Sequence, residues 1–434
     1  MTFRKVNIRP DASGWTLLAW RGLKVMPRFI AGDAMPLYAT FRQGYGATED
    51  FMTSEQRKEQ RYQRRVKARA EKKARRLETA DNFNAVFSYD NLYRSYRCCR
   101  RGVSWKASVQ RYISTAPLSI YQTRNRLQNG TYKSPGFYEF DLYERGKHRH
   151  IRSTVIGERV VQRCLCDNAL VPALTPTFVY DNGASMKYKG YDFCMRRMTQ
   201  HLHEHYRKHG QEGYILLFDF SKFFDNVSHE IVKGIFEKTF TDEKIKKLAG
   251  HFVDAFGDIG LGLGSQISQV LALASANRLD HYVKEVLRIR GYGRYMDDGY
   301  LIHPSKEYLQ RCLKGIENIC QMLKITLNKK KTQLVKLSHG FIWLKARIFL
   351  TKTGKVIRKI CKKSITRMRR KMKRLKKRLD EGSITFRDIW NGWQSWRGYA
   401  EKFNAWHTIQ NAGDLFNKLF VFKEEESYVL HQNV

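Results

Sequence analysis

At 434 residues, with 80 Lys+Arg against 41 Asp+Glu and a formal net charge of +39, the chain is long enough for two or three subdomains and carries the electrostatic footprint of a protein that binds a polyanion. No apolar stretch approaches the roughly 18 residues of a spanning helix, which excludes a helical membrane protein. The eight cysteines form no Cys-x-x-Cys pairing and no dense framework, which excludes a disulfide scaffold or Cys-rich zinc module and leaves reduced, mostly buried thiols as the expectation.

Residues 1–50 mix Gly, Pro and aromatics without a clean period, and no role is assigned to them. They also lack a signal peptide's continuous apolar run, despite Trp15-Thr16-Leu17-Leu18-Ala19-Trp20, so a cytoplasmic location is expected. A helix is predicted from Thr53, which stands in capping-box spacing with Gln56. Its stretch Arg57 to Arg76 carries eleven basic residues against two acidic ones and too few apolar positions to bury a face. Such a helix either grips RNA, the favoured reading, or stands solvated. Residues Phe137 to Arg152 alternate and turn at Gly146, a predicted hairpin whose return strand is basic. Ile156 to Gln162 reads as the helix after it, and its Arg159 either reaches template or phosphates or pairs with Glu158. Further on, His201, His205 and His209 share one helical face, but without His-Glu-x-x-His spacing a solvated polar face is favoured over a zinc site.

Tyr214-Ile215-Leu216-Leu217-Phe218 reads as a buried strand ending at Asp219. An acid at such a strand end is costly unless it has work to do. Arg294 to Ile302 alternates on either side of Asp297-Asp298-Gly299, read as a hairpin turn holding two adjacent acids. A solvated turn and a cation site both fit the dipeptide alone; Asp219 in a similar setting tips the reading toward the cation. Three such carboxylates suffice to bridge two Mg²⁺ ions about 3.5 to 4 Å apart, the clamp used for in-line nucleotidyl transfer. The second basic tract, Lys355 to Arg378, differs from the first. Ile365, Met368, Met372, Leu375 and Leu379 recur at spacings of three and four, so an apolar stripe docks this helix with its cations outward. The aromatic run Trp390 to Tyr399 is expected to pack that region, with base stacking secondary.

Over roughly residues 137 to 400 the chain resembles the reverse transcriptases. The resemblance rests on Asp219 with Phe224 five positions on, Leu263-Gly264-Ser265-Gln266-Ile267-Ser268-Gln269, Tyr295-Met296-Asp297-Asp298, and Leu327-Asn328-Lys329-Lys330-Lys331-Thr332. It implies an α+β right-hand polymerase with an antiparallel palm sheet and a helical, basic thumb. The expected divisions are an N-terminal extension (1–84), fingers (85–210), palm (211–350), and thumb with C-terminal tail (351–434). It further implies that Asp219, Asp297 and Asp298, together with Phe220 beside the first of them, hold two Mg²⁺ or Mn²⁺ ions. Lys331 is similar to the lysine near the leaving pyrophosphate, although a solvated basic turn fits Lys329, Lys330 and Lys331 as well. Lys147, Arg149 and Arg159 would meet the nucleotide phosphates or template. Phe220, Phe224, Gly264, Gln269 and Tyr295 would line the nucleotide site, with Phe224 excluding a 2′-hydroxyl or, alternatively, only packing the core.

Two departures from the common bacterial pattern carry the subtype. Leu263 stands where a Gln is usual and Gln269 where a Pro is usual, as in diversity-generating retroelement enzymes, so lower fidelity is expected. In the primer-grip position, Lys345 and Ala346 replace the usual Gly and Phe. The expected partners are dNTPs, a DNA product and a dedicated structured RNA template, with an accessory protein as a further candidate; the expected setting is a bacterial or phage-infected cell. A defence-associated or retron-like reverse transcriptase, or a group II intron-like relative, fits the same motifs. A non-enzymatic, maturase-like RNA binder fits less well, because nothing would keep three acids inside an RNA-binding surface.

Overall fold

The computed structural model describes residues 53–144, 147–262 and 264–420. Backbone contacts divide the chain into residues 1–64 and 65–434. Of the first unit the structure describes the beginning of α1 (Ser54–Ala80). There the predicted capping box forms, with Thr53 N donating to Gln56 Oε1 (2.7 Å) and Gln56 N donating to Thr53 Oγ1 (3.2 Å). The helix is solvated almost throughout its length, as its lack of an apolar stripe requires.

In the second unit the order is α2 (Phe83–Val86), α3 (Tyr89–Arg100), α4 (Ala107–Ser114), α5 (Ala116–Gln128), the hairpin β1 (Phe137–Glu144) and β2 (Lys147–Thr154), α6 (Ile156–Leu165), α7 (Val171–Leu174) and α8 (Tyr191–His209). Then come β3 (Tyr214–Asp219), α9 (His229–Thr239), α10 (Glu243–Asp254), α11 (Gln266–Ser275), α12 (Asn277–His281), β4 (Gly291–Tyr295), β5 (Asp298–His303), α13 (Lys306–Met322) and β6 (Gln333–Lys336). A meander β7 (Phe341–Trp343), β8 (Ala346–Leu350) and β9 (Val356–Ile360) leads to α14 (Lys362–Asp380), α15 (Phe386–Ala400) and α16 (Trp406–Phe420).

The central sheet runs β4-β5-β3-β6, all antiparallel, which with its crossing helices is a βαββαβ unit. Alternation along β3 sends Leu216 and Phe218 into one core with α9 to α13, and Ile215 and Leu217 into a second with α8 and the meander. Both faces are covered, which explains the unbroken apolar run of β3. A third core, containing Met368, Met372, Trp393 and Phe416, binds α14, α15 and α16 together. The aromatic run packs as expected, with Trp393 stacked on Trp396 (5.5 Å) and on Phe416 (5.2 Å).

Two expectations change here. Residues Val356–Ile360 form β9 instead of the start of the basic helix, which begins at Lys362; all five residues of this segment pair with β8, while the apolar stripe starts only at Ile365. The meander therefore runs across the division drawn at residue 350. His201 and His205 are buried instead of solvated: α8 packs on the back of the sheet and turns that face inward. Every cysteine is free, and six of the eight are buried. Among the described residues no helix is long and apolar enough to cross a membrane.

Candidate active site

Strand pairing brings the acids together. Asp219, last residue of β3, lies opposite Asp298, first residue of β5, and Tyr295 closes the hairpin on the other side of Asp298. The two loop residues are therefore Met296 and Asp297; the turn sits one residue earlier than the Asp-Asp-Gly reading placed it. Met296 takes φ +54°, the left-handed value that a two-residue hairpin needs at its first position. Gly299 is thereby a strand residue, and its lack of a side chain has another cause: a Cβ there would stand 2.1 Å from the Phe218 ring. The Phe218 ring fills that space and seats the two strands.

One carboxylate oxygen from each of Asp219, Asp297 and Asp298 falls within 4.8 Å of the others, the only such grouping of metal-ligating side chains among the described residues. Burial and the charges of Asp297 and Asp219 push the Asp298 carboxyl well above the usual carboxylate range; burial and then Asp219 raise Asp297 as well. Lys331 Nζ donates to Asp219 Oδ2 at 2.7 Å, so an ammonium already answers one of these charges. Three largely desolvated carboxylates converging around one cationic group are a donor set that fits hard divalent ions.

The remaining expected residues distribute unevenly. Phe220 sends its ring into the core against Phe218 and Phe223, so only its main chain is open to the site; its N–H donates to Asp297 O at 3.2 Å. Phe224 is half-buried on the 3-10 turn Phe224–Asn226, and Tyr295 is half-buried at the end of β4. Arg159 is exposed and donates to Ser153 Oγ (3.1 Å) and Thr154 O (3.3 Å). It does not pair with Glu158, which is buried and accepts from Tyr132 Oη (2.5 Å) and Gln162 Nε2 (3.0 Å). Ser265 Oγ donates onward to Gln162 Oε1 at 3.1 Å, tying the loop before α11 to α6. Gly264, at φ +106°, lies against β2, where an added Cβ would stand 4.0 Å from Arg152 O and Ile151 Cγ2. Gln269 is exposed on α11 and accepts from Ser185 Oγ at 3.0 Å. The expected β1–β2 hairpin forms, with Glu144 opposite Lys147 and Leu142 opposite Arg149. The side chains of Lys147 and Arg149, and Leu263 with its bearing on subtype, lie outside the described residues.

Several contributors escaped the sequence reading. Asn328 fastens Asp219 twice, N to O at 2.8 Å and Nδ2 to Oδ1 at 3.2 Å; it stood inside the Leu327 to Thr332 segment but drew no role. Under β5, Tyr300 Oη meets His201 Nδ1 at 2.9 Å, and Arg197 donates to His201 Nε2 at 3.0 Å. Arg197 and Lys284 also hold the buried Asp181, at 2.6 and 2.7 Å. Trp343 stands edge-on to Tyr300 with centroids 4.8 Å apart, joining the meander to the same strand. The meander's first turn is Leu344-Lys345, both at positive φ (44° and 63°), where the sequence had placed an altered primer grip.

No curated protein matches the chain. Among solved structures it is similar to telomerase from Candida albicans in complex with a TWJ fragment of telomeric RNA, at 11% identity and TM-score 0.41, covering 71% of this chain and 65% of that one. It is also similar to apo telomerase from Candida tropicalis truncated from its C-terminal domain, at 13% identity and TM-score 0.41, covering 56% and 60%. The chain thus spans less than two thirds of either telomerase's length. The model of the family described as reverse transcriptase (RNA-dependent DNA polymerase) matches residues 146–348. That span contains β3 to β6 and all three carboxylates, so this region of the chain is similar to a reverse transcriptase domain.

Proposed function

We propose that the protein copies an RNA template into DNA by nucleotidyl transfer, and that the convergence of Asp219, Asp297 and Asp298 at the β3–β5 tip is the observation that carries this reading. In it, residues 85–210 serve as fingers, 211–350 as palm and 351–434 as thumb. The three carboxylates, with the Phe220 main chain, hold two Mg²⁺ or Mn²⁺ ions. Bound there, the ions supply charge stabilisation at the primer 3′-oxygen and at the leaving pyrophosphate. Asp219 is aimed by Asn328 and Lys331. On substrate binding the Lys331 ammonium can leave Asp219 and meet the pyrophosphate, as charge or as proton donor.

Lys147, Arg149 and Arg159 take the triphosphate or template, and Phe224 with Tyr295 borders the sugar. Gly264 and Gln269 sit beside the templating pair, where the loss of an amide at Leu263 relaxes fidelity. Lys362, Lys363, Arg367, Arg370 and Arg374 line one side of α14 and suit the backbone of the product duplex. The template is a dedicated structured RNA, as in diversity-generating retroelements; the Leu263 and Gln269 pattern favours that setting over a defence-associated or retron-like one.

The test is primer extension on RNA with Mg²⁺, wild type against Asp297→Ala, with the products sequenced. Extension lost in the variant, with errors concentrated opposite one template base, supports the whole reading. Accurate extension keeps the polymerase and removes the subtype. If neither protein extends even with RNA copurified from the host, the polymerase reading fails.

A further inference from the structure

Arg294 and Asp280 are both fully buried and form a two-pronged ion pair, Nε to Oδ1 at 2.7 Å and Nη2 to Oδ2 at 2.6 Å. Asp280 is saturated: Tyr292 Oη also donates to Oδ1 (2.5 Å), and Asn182 Nδ2 to Oδ2 (3.3 Å). The guanidinium keeps one nitrogen for the hairpin, because Nη1 donates at 2.7 Å to the carbonyl of Met296. The backbone of Arg294 is clamped separately, with N donating to Asp181 O (3.1 Å) and O accepting from Gly183 N (3.0 Å). Met296 is the loop residue at φ +54°, immediately before Asp297. A side-chain-bearing residue leaves that conformation unless something holds it.

We infer that Arg294 is a positioning residue: oriented by Asp280, its guanidinium fixes the Met296 carbonyl and so holds the turn that aims Asp297 and Asp298 at a divalent cation. Only a planar fork can serve both Asp280 oxygens and a carbonyl in a third direction; a lysine ammonium in its place satisfies the charge but not the geometry. A buried ion pair contributes little net stability compared with an apolar pair of the same volume, so stability alone gives no reason for this one. The catalytic consequence rests on the polymerase reading; the hold on the turn does not.

The experiment compares wild type with the charge-neutral double variant Arg294→Gln/Asp280→Asn and with Arg294→Lys, which keeps the ion pair and serves if the double variant does not fold. The first readout is amide hydrogen exchange in metal-free protein. Exchange should quicken at Tyr295 to Gly299 while β3 and α13 keep their protection. The second is the Mg²⁺ concentration for half-maximal primer extension, which should rise roughly 10- to 100-fold with the dNTP KM little changed. Unchanged turn exchange and Mg²⁺ requirement in a folded variant overturns the inference. Exchange quickened uniformly across the sheet also overturns it, since that marks a structural role only. Exchange quickened at the turn, with no primer extension from wild type even on RNA copurified from the host, leaves the positioning role standing and removes the polymerase reading.

Discussion

Replacing Gly299 by Ala probes how the two catalytic strands are seated. The added methyl would lie 2.1, 2.4 and 2.7 Å from three atoms of the Phe218 ring, where contact normally begins near 3.5 Å, so ring and methyl must part by about 1 Å. Phe218 is 2% exposed and its ring packs on Phe220, so it cannot simply swing away. The strain falls on the β3–β5 pairing, one register step from Asp219 and Asp298. Overpacking of this kind costs about 1 to 3 kcal/mol. Displacing the carboxylates by part of that ångström is expected to slow single-turnover primer extension about 100-fold in protein that remains folded. Phe218→Leu in the same chain removes the colliding atoms and should recover most of both losses. If Gly299→Ala is as stable and active as wild type, or if Phe218→Leu fails to rescue it, the Phe218 ring does not set the spacing of these strands.

Burial holds His201 down to about 4, below its ordinary 6.5, so the folded protein resists a proton that the unfolded chain accepts. Stability from this group is complete above pH 6.5 and is lost as pH falls from 6.5 toward 4, by about 2 kcal/mol at pH 5; His201→Gln should flatten that part of the urea-midpoint profile, and an unaltered profile refutes it. Replacing Arg367, Arg370 and Arg374 on α14 with Gln should lower the salt dependence of duplex binding by about 2 to 3 in log–log slope, measured by fluorescence anisotropy. An unchanged slope means that α14 does not meet the phosphates. Phe224→Ala should admit ribonucleotides, read as a fall in the ratio of kcat/KM for dNTP over rNTP of at least about tenfold; a constant ratio makes Phe224 a packing residue.

What could be read in advance was what depends on neighbours in sequence. The β1–β2 hairpin, the apolar run into Asp219 and the stripe Met368, Met372, Leu375 on α14 follow from period alone. The hairpin bearing Asp297 was legible, but its turn was placed one residue late because the glycine was credited to the bend. Its actual cause, a ring from β3 crossing it, lies in another strand. Asp280 and Arg294 are fourteen positions apart, and each alone looks like an ordinary charge beside apolar neighbours; only the packing of α12 against β4 makes them one unit. Of the α8 histidines, His209 is exposed as expected but His201 and His205 are buried, since their spacing shows that they share a side without showing that the sheet covers part of it.

The central position of β3 has a consequence for how the chain is made. Its partners β5 and β6 are synthesised roughly 80 and 115 residues later. At about 5 to 20 residues per second, Tyr214 to Asp219 leaves the ribosome about 4 to 16 seconds before its first neighbour exists and up to about 23 seconds before its second. For that interval a buried apolar strand is an open edge on a nascent chain, with only α1 to α8 and the β1–β2 hairpin already made. Production of soluble protein should accordingly respond to translation speed between residues 220 and 336 and to chaperones that shelter emerging strands, far more than to changes in the fully formed active site.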